Sequence, residues 1–245
     1  MADLNACGRR ACAGDGGGAG APGAGGAEPH TGTTIVACAY AGGVVLGADG
    51  RVSTGNYVSN RASNKIMQLT DSIFLLRSGS AADTQAVGDY VRFFSEQLAG
   101  ELGEEPSVQT VANLVATMNY NNKNNLVGAL LVAGYDEAAG GQVYGIPIGG
   151  TIVREAWAID GSGSTYIWGY MDAAWKPDMT REEAEAFVVE ALALAMARDA
   201  SSGGVIRTVT LDKDGPTHRY IGGNDVPRFH EELPPPAPPA SMAVG

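Results

Sequence analysis

The chain has 245 residues, 44% hydrophobic and 18% charged, the mixture of an ordinary globular protein long enough to bury a substantial core. A net charge of −11 argues against nucleic acid or an anionic membrane surface as the main partner. Three cysteines, Cys7, Cys12 and Cys38, offer neither a disulfide framework nor a zinc-type spacing, which fits a reducing compartment.

Residues 1–32 are low in complexity and rich in Gly and Ala, with Arg9 and Arg10 but no continuous apolar stretch. They read as a disordered head and as neither a signal peptide nor an anchor. At Thr33 the composition changes abruptly. Thr34–Ala41 and Val44–Ala48 predict a hairpin closed at Gly42-Gly43, and the apolar run containing it is too short and too broken to span a bilayer. Lys65-Ile66-Met67-Gln68-Leu69 is strand-like, and Ile73–Ser78 predicts a further strand. Ser80 with Asp83 three residues later marks a helix start, with Val87, Tyr90, Val91, Phe94 and Leu98 on one stripe. Pro106-Ser107 opens a second helix facing inward through Val108, Val111, Val115 and Met118. An Asn-rich loop at 119–125 leads to strands at Leu126–Ala133 and Gln142–Ile146. Trp157–Ile159 is a short strand running into Gly161-Ser162-Gly163, and Thr180 with Glu183 caps a helix that continues to Arg198. Its inner face is Ala184, Phe187, Val188, Ala191 and Ala195. Val205–Leu211 and Arg219–Ile221 predict a closing hairpin, and Pro-rich residues 228–245 form a tail. Strands and helices in this order fit two antiparallel sheets between helical layers better than an alternating parallel fold.

The chemistry concentrates at the Gly32-Thr33 junction. A threonine hydroxyl inside a chain is a weak nucleophile without a base. At a freed N-terminus the same residue carries its own amine, with an ordinary pKa of about 7.7–8.0, so nucleophile and base share one residue. Such a site needs a cation near the developing alkoxide, an acid to hold that cation, and an oxyanion hole. Of four lysines, Lys65 alone lies beside apolar strand-like sequence, and Asp49 ends the second strand within reach of a neighbouring one. Gly79 sits between a strand and a capped helix, where first-turn N–H groups point outward. Taken singly, a lone Lys or Asp is ordinarily a solvated side chain, and a Gly at such a turn is ordinarily turn chemistry.

Together, Thr33-Thr34-Ile35, the segment Gly42–Asp49, Arg51, Lys65, the segment Arg77–Asp83, Gly161-Ser162-Gly163-Ser164 and the segment Arg198–Gly204 resemble a catalytic beta subunit of the eukaryotic proteasome core particle. The resemblance runs from Thr31 to about Pro227 and implies the N-terminal nucleophile hydrolase fold, an α+β four-layer αββα sandwich. It implies that residues 1–32 are a propeptide removed on maturation, that 33–227 form the hydrolase domain, and that 228–245 follow as a tail. It further implies Thr33 as nucleophile, Asp49 and Lys65 as the acid and its lysine, and Gly79 as oxyanion donor. Ser162, Asp199 and Ser202 match the polar groups that hold the threonine amine. Among Thr31, Thr33 and Thr34, only Thr33 follows a glycine and keeps the family spacing of 16 residues to Asp49 and 32 to Lys65. Gly50 and Asp160 depart from the family pattern, where a small hydroxyl residue and something smaller than Asp are expected.

Strand alternation puts Arg77 on the face of Leu75, opposite Leu76 and Ser78. Relatives use this position as the floor of the pocket for the residue before the cut. An arginine there offers bidentate bonds to a carboxylate and so implies caspase-like cleavage after acidic residues, with Gln85 lining the same pocket. The resemblance also implies a hetero-heptameric ring with other beta subunits, a second beta ring and alpha rings, unfolded polypeptides as substrates, and residence in cytoplasm and nucleus. It implies no cofactor and no metal. A purely structural ring subunit would typically lack one of Thr33, Asp49, Lys65 or Gly79. An N-terminal nucleophile amidase would not be expected to carry the motif from Arg198 to Gly204.

Overall fold

The computed structural model describes residues 32–229; apart from Gly32 and residues 228–229, the expected head and tail lie outside the described residues. The first sheet has the order β10-β1-β2-β11-β12 and is antiparallel throughout. Its strands are β1 (Ile35–Tyr40), β2 (Gly43–Asp49), β10 (Trp157–Asp160), β11 (Ile206–Asp212) and β12 (Gly215–Ile221). The second, also antiparallel, has the order β5-β6-β7-β8-β9. It comprises β5 (Ile66–Gln68), β6 (Ile73–Gly79), β7 (Gly128–Asp136), β8 (Gly140–Ile146) and β9 (Val153–Glu155). A separate ribbon pairs β3 (Val52–Thr54) with β4 (Tyr57–Asn60). The helices are α1 (Ala81–Leu102), α2 (Val108–Asn121), α3 (Trp168–Ala174) and α4 (Arg181–Arg198).

Side-chain alternation explains how these strands make four layers. On β1, Ile35 and Ala37 enter the core between the sheets, while Val36 and Cys38 enter a second core beneath α4. On β6 and β7, Phe74, Leu76, Leu131 and Ala133 face the other sheet, and Leu75, Leu130 and Val132 meet α1 and α2. Both faces of the central strands are therefore buried, so β1, β2, β6 and β7 read as nearly continuous apolar runs although they are antiparallel. The result is the expected αββα sandwich: α1 and α2, sheet, sheet, then α3 and α4. No helix among the described residues is long and apolar enough to cross a membrane.

The helix starts follow the sequence signals. Ser80 accepts from the Asp83 amide, and Thr180 and Glu183 form a reciprocal capping box, with bonds of 2.8 and 3.3 Å. Three details differ from expectation. Tyr90 is 63% exposed, because the inward stripe of α1 runs through Thr84, Val87, Gly88, Val91 and Ser95 and leaves Tyr90 on its flank. The Asn-rich stretch is helical as far as Asn121, where buried Asn119 donates to the Pro147 carbonyl. The last strand begins at Gly215, well before Arg219, because an edge strand exposed at every position from Pro216 to Tyr220 carries no apolar period. The largely exposed β4, β9 and α3 escape sequence reading for the same reason, and β3, three residues long, is too short to show a period.

Candidate active site

The four layers bring the starts and ends of five elements to one spot. Thr33 precedes β1, Asp49 ends β2, Lys65 precedes β5, Ser162 opens a 3₁₀ turn (Ser162–Tyr166) after β10, and Asp199 caps the C-terminus of α4. Lys65 and Asp49 come from opposite sheets and meet with Nζ–Oδ1 at 2.7 Å, their residues only 6% and 1% exposed. Four donors converge on Asp49: Lys65 Nζ and the Thr34 amide on Oδ1, and the Arg51 and Gly203 amides on Oδ2. This fills the acceptor capacity of a carboxylate. Burial pushes the Lys65 ammonium below its ordinary pKa, and the Asp49 charge opposes that shift.

The Gly32–Thr33 peptide bond is intact, and its carbonyl is held from two sides. Thr33 Oγ1 donates to the Gly32 oxygen at 2.8 Å and Lys65 Nζ donates to it at 3.1 Å. Gly32 presses against the Ser201 backbone, with 2.7 Å between a Cβ built on it and the Ser201 Cα, so only glycine fits before Thr33.

A second set of bonds runs from the Thr33 nitrogen. It donates to Ser162 Oγ at 3.1 Å, and Ser162 Oγ donates to Asp199 Oδ2 at 2.7 Å. Ser202 Oγ donates to the same oxygen at 2.6 Å, so the 2.7 Å contact between Thr34 Oγ1 and Ser202 Oγ has Thr34 as donor. The hydroxyl protons of Ser162, Ser202 and Thr34 thus all point toward Asp199. The Gly163 amide completes the grip by donating to the Thr33 carbonyl at 3.1 Å.

Six of the residues singled out from sequence therefore come together in hydrogen bonds: Thr33, Asp49, Lys65, Asp199 and Ser202 are buried, and Ser162 is exposed. Gly79 and Arg77 lie at the end of β6, next to Lys65, whose carbonyl accepts from the Arg77 amide at 3.1 Å. Gly79 adopts φ 94°, a left-handed conformation that favours glycine. The Arg77 side chain keeps to the α1 side, as alternation predicts, and its Nε and Nη1 are buried with no hydrogen-bond partner among the described residues. Burial lowers the Arg77 pKa, and the charge of Asp89 on α1 opposes the shift. Gln85 lies exposed on α1, one turn before Asp89, and no hydrogen bond joins it to the network. Sequence reasoning missed Thr34 and the backbone donors of Arg51, Gly163 and Gly203. The glycine turns that present the last two were visible, but not what their N–H groups would meet.

A four-layer sandwich that buries a threonine at the head of β1 against a Lys–Asp pair has the architecture of the N-terminal nucleophile hydrolases. Residues 29–211 match the protein family described as Proteasome subunit. The chain is 54% identical over 208 residues to Proteasome subunit beta type-6 of Arabidopsis thaliana, covering 84% of this chain and 89% of that one. It is 50% identical over 205 residues to Proteasome subunit beta type-9 of Homo sapiens, covering 84% and 93%. It is also 52% identical over 200 residues to Proteasome subunit beta type-6 of Dictyostelium discoideum, covering 82% and 94%. The chain belongs to the proteasome beta subunit family, a family of threonine proteases that assemble into the multi-subunit proteasome core.

Proposed function

We propose that this chain is a catalytic beta subunit, a threonine endopeptidase of caspase-like type that cuts after acidic residues, with Thr33 as its nucleophile. Residues 1–32 act as a propeptide, and the chain is a zymogen while Gly32–Thr33 is intact, because an amide nitrogen has no basic lone pair. The observation that carries this reading is the Gly32 carbonyl, bonded at once by the Thr33 hydroxyl and the Lys65 ammonium. Lys65 polarises the carbonyl while Oγ1 attacks its carbon. The C–N bond then breaks, the nitrogen takes up the hydroxyl proton, and Gly32 is left as an ester on Oγ1 that water hydrolyses. The products are the head, ending at Gly32, and a free Thr33 amine.

The freed amine takes over as base. Its N–H groups donate to Ser162 Oγ, and the alignment of Ser162, Ser202 and Thr34 protons toward Asp199 keeps its lone pair available. The amine accepts the Oγ1 proton through a water, and Oγ1 attacks the substrate carbonyl. The oxyanion forms against the backbone at Gly79, and the proton passes to the leaving amine. Water releases the acyl group by the reverse sequence. Lys65, held by Asp49, lowers the cost of negative charge on Oγ1 throughout.

The acidic preference is assigned to Arg77, with Gln85 on the pocket rim. A guanidinium with two nitrogens, Nε and Nη1, that bond no described residue suits a substrate carboxylate. The subunit works within a hetero-heptameric beta ring stacked on a second beta ring and between alpha rings, in cytoplasm and nucleus, on unfolded polypeptides. The test is N-terminal sequencing of this subunit from assembled particles, with rates on a fluorogenic peptide ending in Glu. Wild-type subunit is expected to begin at Thr33 and to cleave the peptide. The Thr33→Ala subunit is expected to do neither, and residual cleavage attributable to it would overturn the assignment.

A further inference from the structure

Two turns have to keep a fixed separation in this site: the one that grips Thr33 and the one that ends β6. They belong to different sheets, and sheets stacked roughly 10 Å apart share no backbone hydrogen bonds, so side chains must set the offset. One side chain outside the catalytic network spans this gap. On β10, Ala158 enters the core between the sheets and Ile159 the core beneath α4, so Asp160 turns back toward the second sheet. On β6, Ser78 shares the inter-sheet side with Leu76. The two meet, with Ser78 Oγ donating to Asp160 Oδ1 at 3.0 Å. The same Oδ1 accepts from the Gly161 amide at 2.6 Å.

What lies on either side of this bond gives it consequence. Gly161 leads directly into Ser162 and Gly163, which hold the Thr33 nitrogen and carbonyl, and the turn is so close that a Cβ on Gly161 would run into the Thr33 carbonyl. Ser78 is followed directly by Gly79, the end of β6. We infer that Asp160 is a positioning residue: one carboxylate oxygen ties the turn that grips Thr33 to the strand end at Gly79, fixing the nucleophile relative to the oxyanion-binding backbone. The inference rests on the reading of Thr33 as nucleophile and adds a residue to it. The tie is charge-assisted and therefore stronger than the alternative bond from Ser78 Oγ to the Ala129 carbonyl at 3.1 Å.

The expected signature is kinetic. A misplacement of about 1 Å at a reacting centre can cost up to about a hundredfold in rate, so loosening this tie, which shifts the turn by less than that, is expected to lower kcat on the order of tenfold, with KM within about twofold. The experiment compares assembled particles carrying Asp160→Ala, Asp160→Asn, Ser78→Ala or the Asp160→Ala/Ser78→Ala pair, by kcat and KM on the Glu-ending peptide and by the rate at which an epoxyketone labels Thr33. Asp160→Asn is expected to retain near-wild-type kcat, because its Oδ1 accepts the same two bonds. The paired variant is expected to be no slower than the slower single one. Wild-type kcat in Asp160→Ala, equal damage in Asp160→Asn, or multiplying losses in the pair would each overturn the inference. If Asp160→Ala does not assemble, Ser78→Ala decides, and wild-type kcat there overturns it. Thr33→Ala separates the two readings: activity surviving in it defeats the nucleophile assignment, whereas an inactive Thr33→Ala beside a fully active Asp160→Ala defeats the tie alone.

Discussion

Lys65→Met is the perturbation that bears most directly on the site. The ammonium lies 2.7 Å from Asp49 Oδ1, with the two side chains 7% and 0% exposed. At an effective dielectric constant of about 20, that separation corresponds to a gross attraction of about 6 kcal/mol. Desolvating the two ions costs several kcal/mol each, so the intact pair adds little net stability. Removing only the lysine is another matter, since it strands a buried carboxylate. That commonly costs about 3–5 kcal/mol, and here the low end applies because the amides of Thr34, Arg51 and Gly203 remain on Asp49. Activity suffers more than stability. Lys65 is one of the two donors on the Gly32 carbonyl, and loss of one donor to a developing oxyanion typically costs about a hundred- to a thousandfold in rate. The assay is intact mass spectrometry of the subunit through an assembly time course, followed by initial rates on the Glu-ending peptide. Lys65→Met is expected to lose its head slower by that factor, and the subunit that keeps its head is expected not to cleave the peptide. Lys65→Arg is expected to fail too, since a planar guanidinium does not fit the buried space of an ammonium. Processing at the wild-type rate in Lys65→Met, with peptide cleavage within a few-fold, would show that the pair is only structural and would refute this reasoning.

Two further outcomes are expected. Arg77→Leu removes charged hydrogen bonds worth about 1.5–3 kcal/mol to a substrate carboxylate, so kcat/KM should fall about 10- to 150-fold for a Glu-ending peptide relative to a Leu-ending one. An unchanged ratio would dismiss Arg77 as the specificity residue. Gly32→Val places a branched side chain against the Ser201 backbone, so cleavage of the head should slow markedly while particles already processed cleave peptide normally. Mass spectrometry against specific activity separates the two effects, and equal processing rates would show that the close approach imposes no constraint.

The sequence by itself carried the sandwich and most of the site, because both left local marks. Apolar strands bounded by glycine turns, capped helices and an abrupt composition change at Thr33 are written in neighbouring residues. Exposed and short elements left none: β3, β4, β9 and most of β12 lack an apolar period, and Tyr90 sits beside a stripe it does not join. Residue type and neighbourhood nominated Thr33, Asp49 and Lys65, and the family resemblance added Ser162, Asp199 and Ser202. The direction of their bonds was decided only by tertiary structure. That Lys65 reaches the Gly32 carbonyl, that Thr34 donates into the Asp199 relay, and that Asp160 spans the sheets to Ser78 all depend on residues far apart in sequence. A hydrogen bond is a matter of tenths of an ångström and of angle, and only packing two sheets face to face fixes those values.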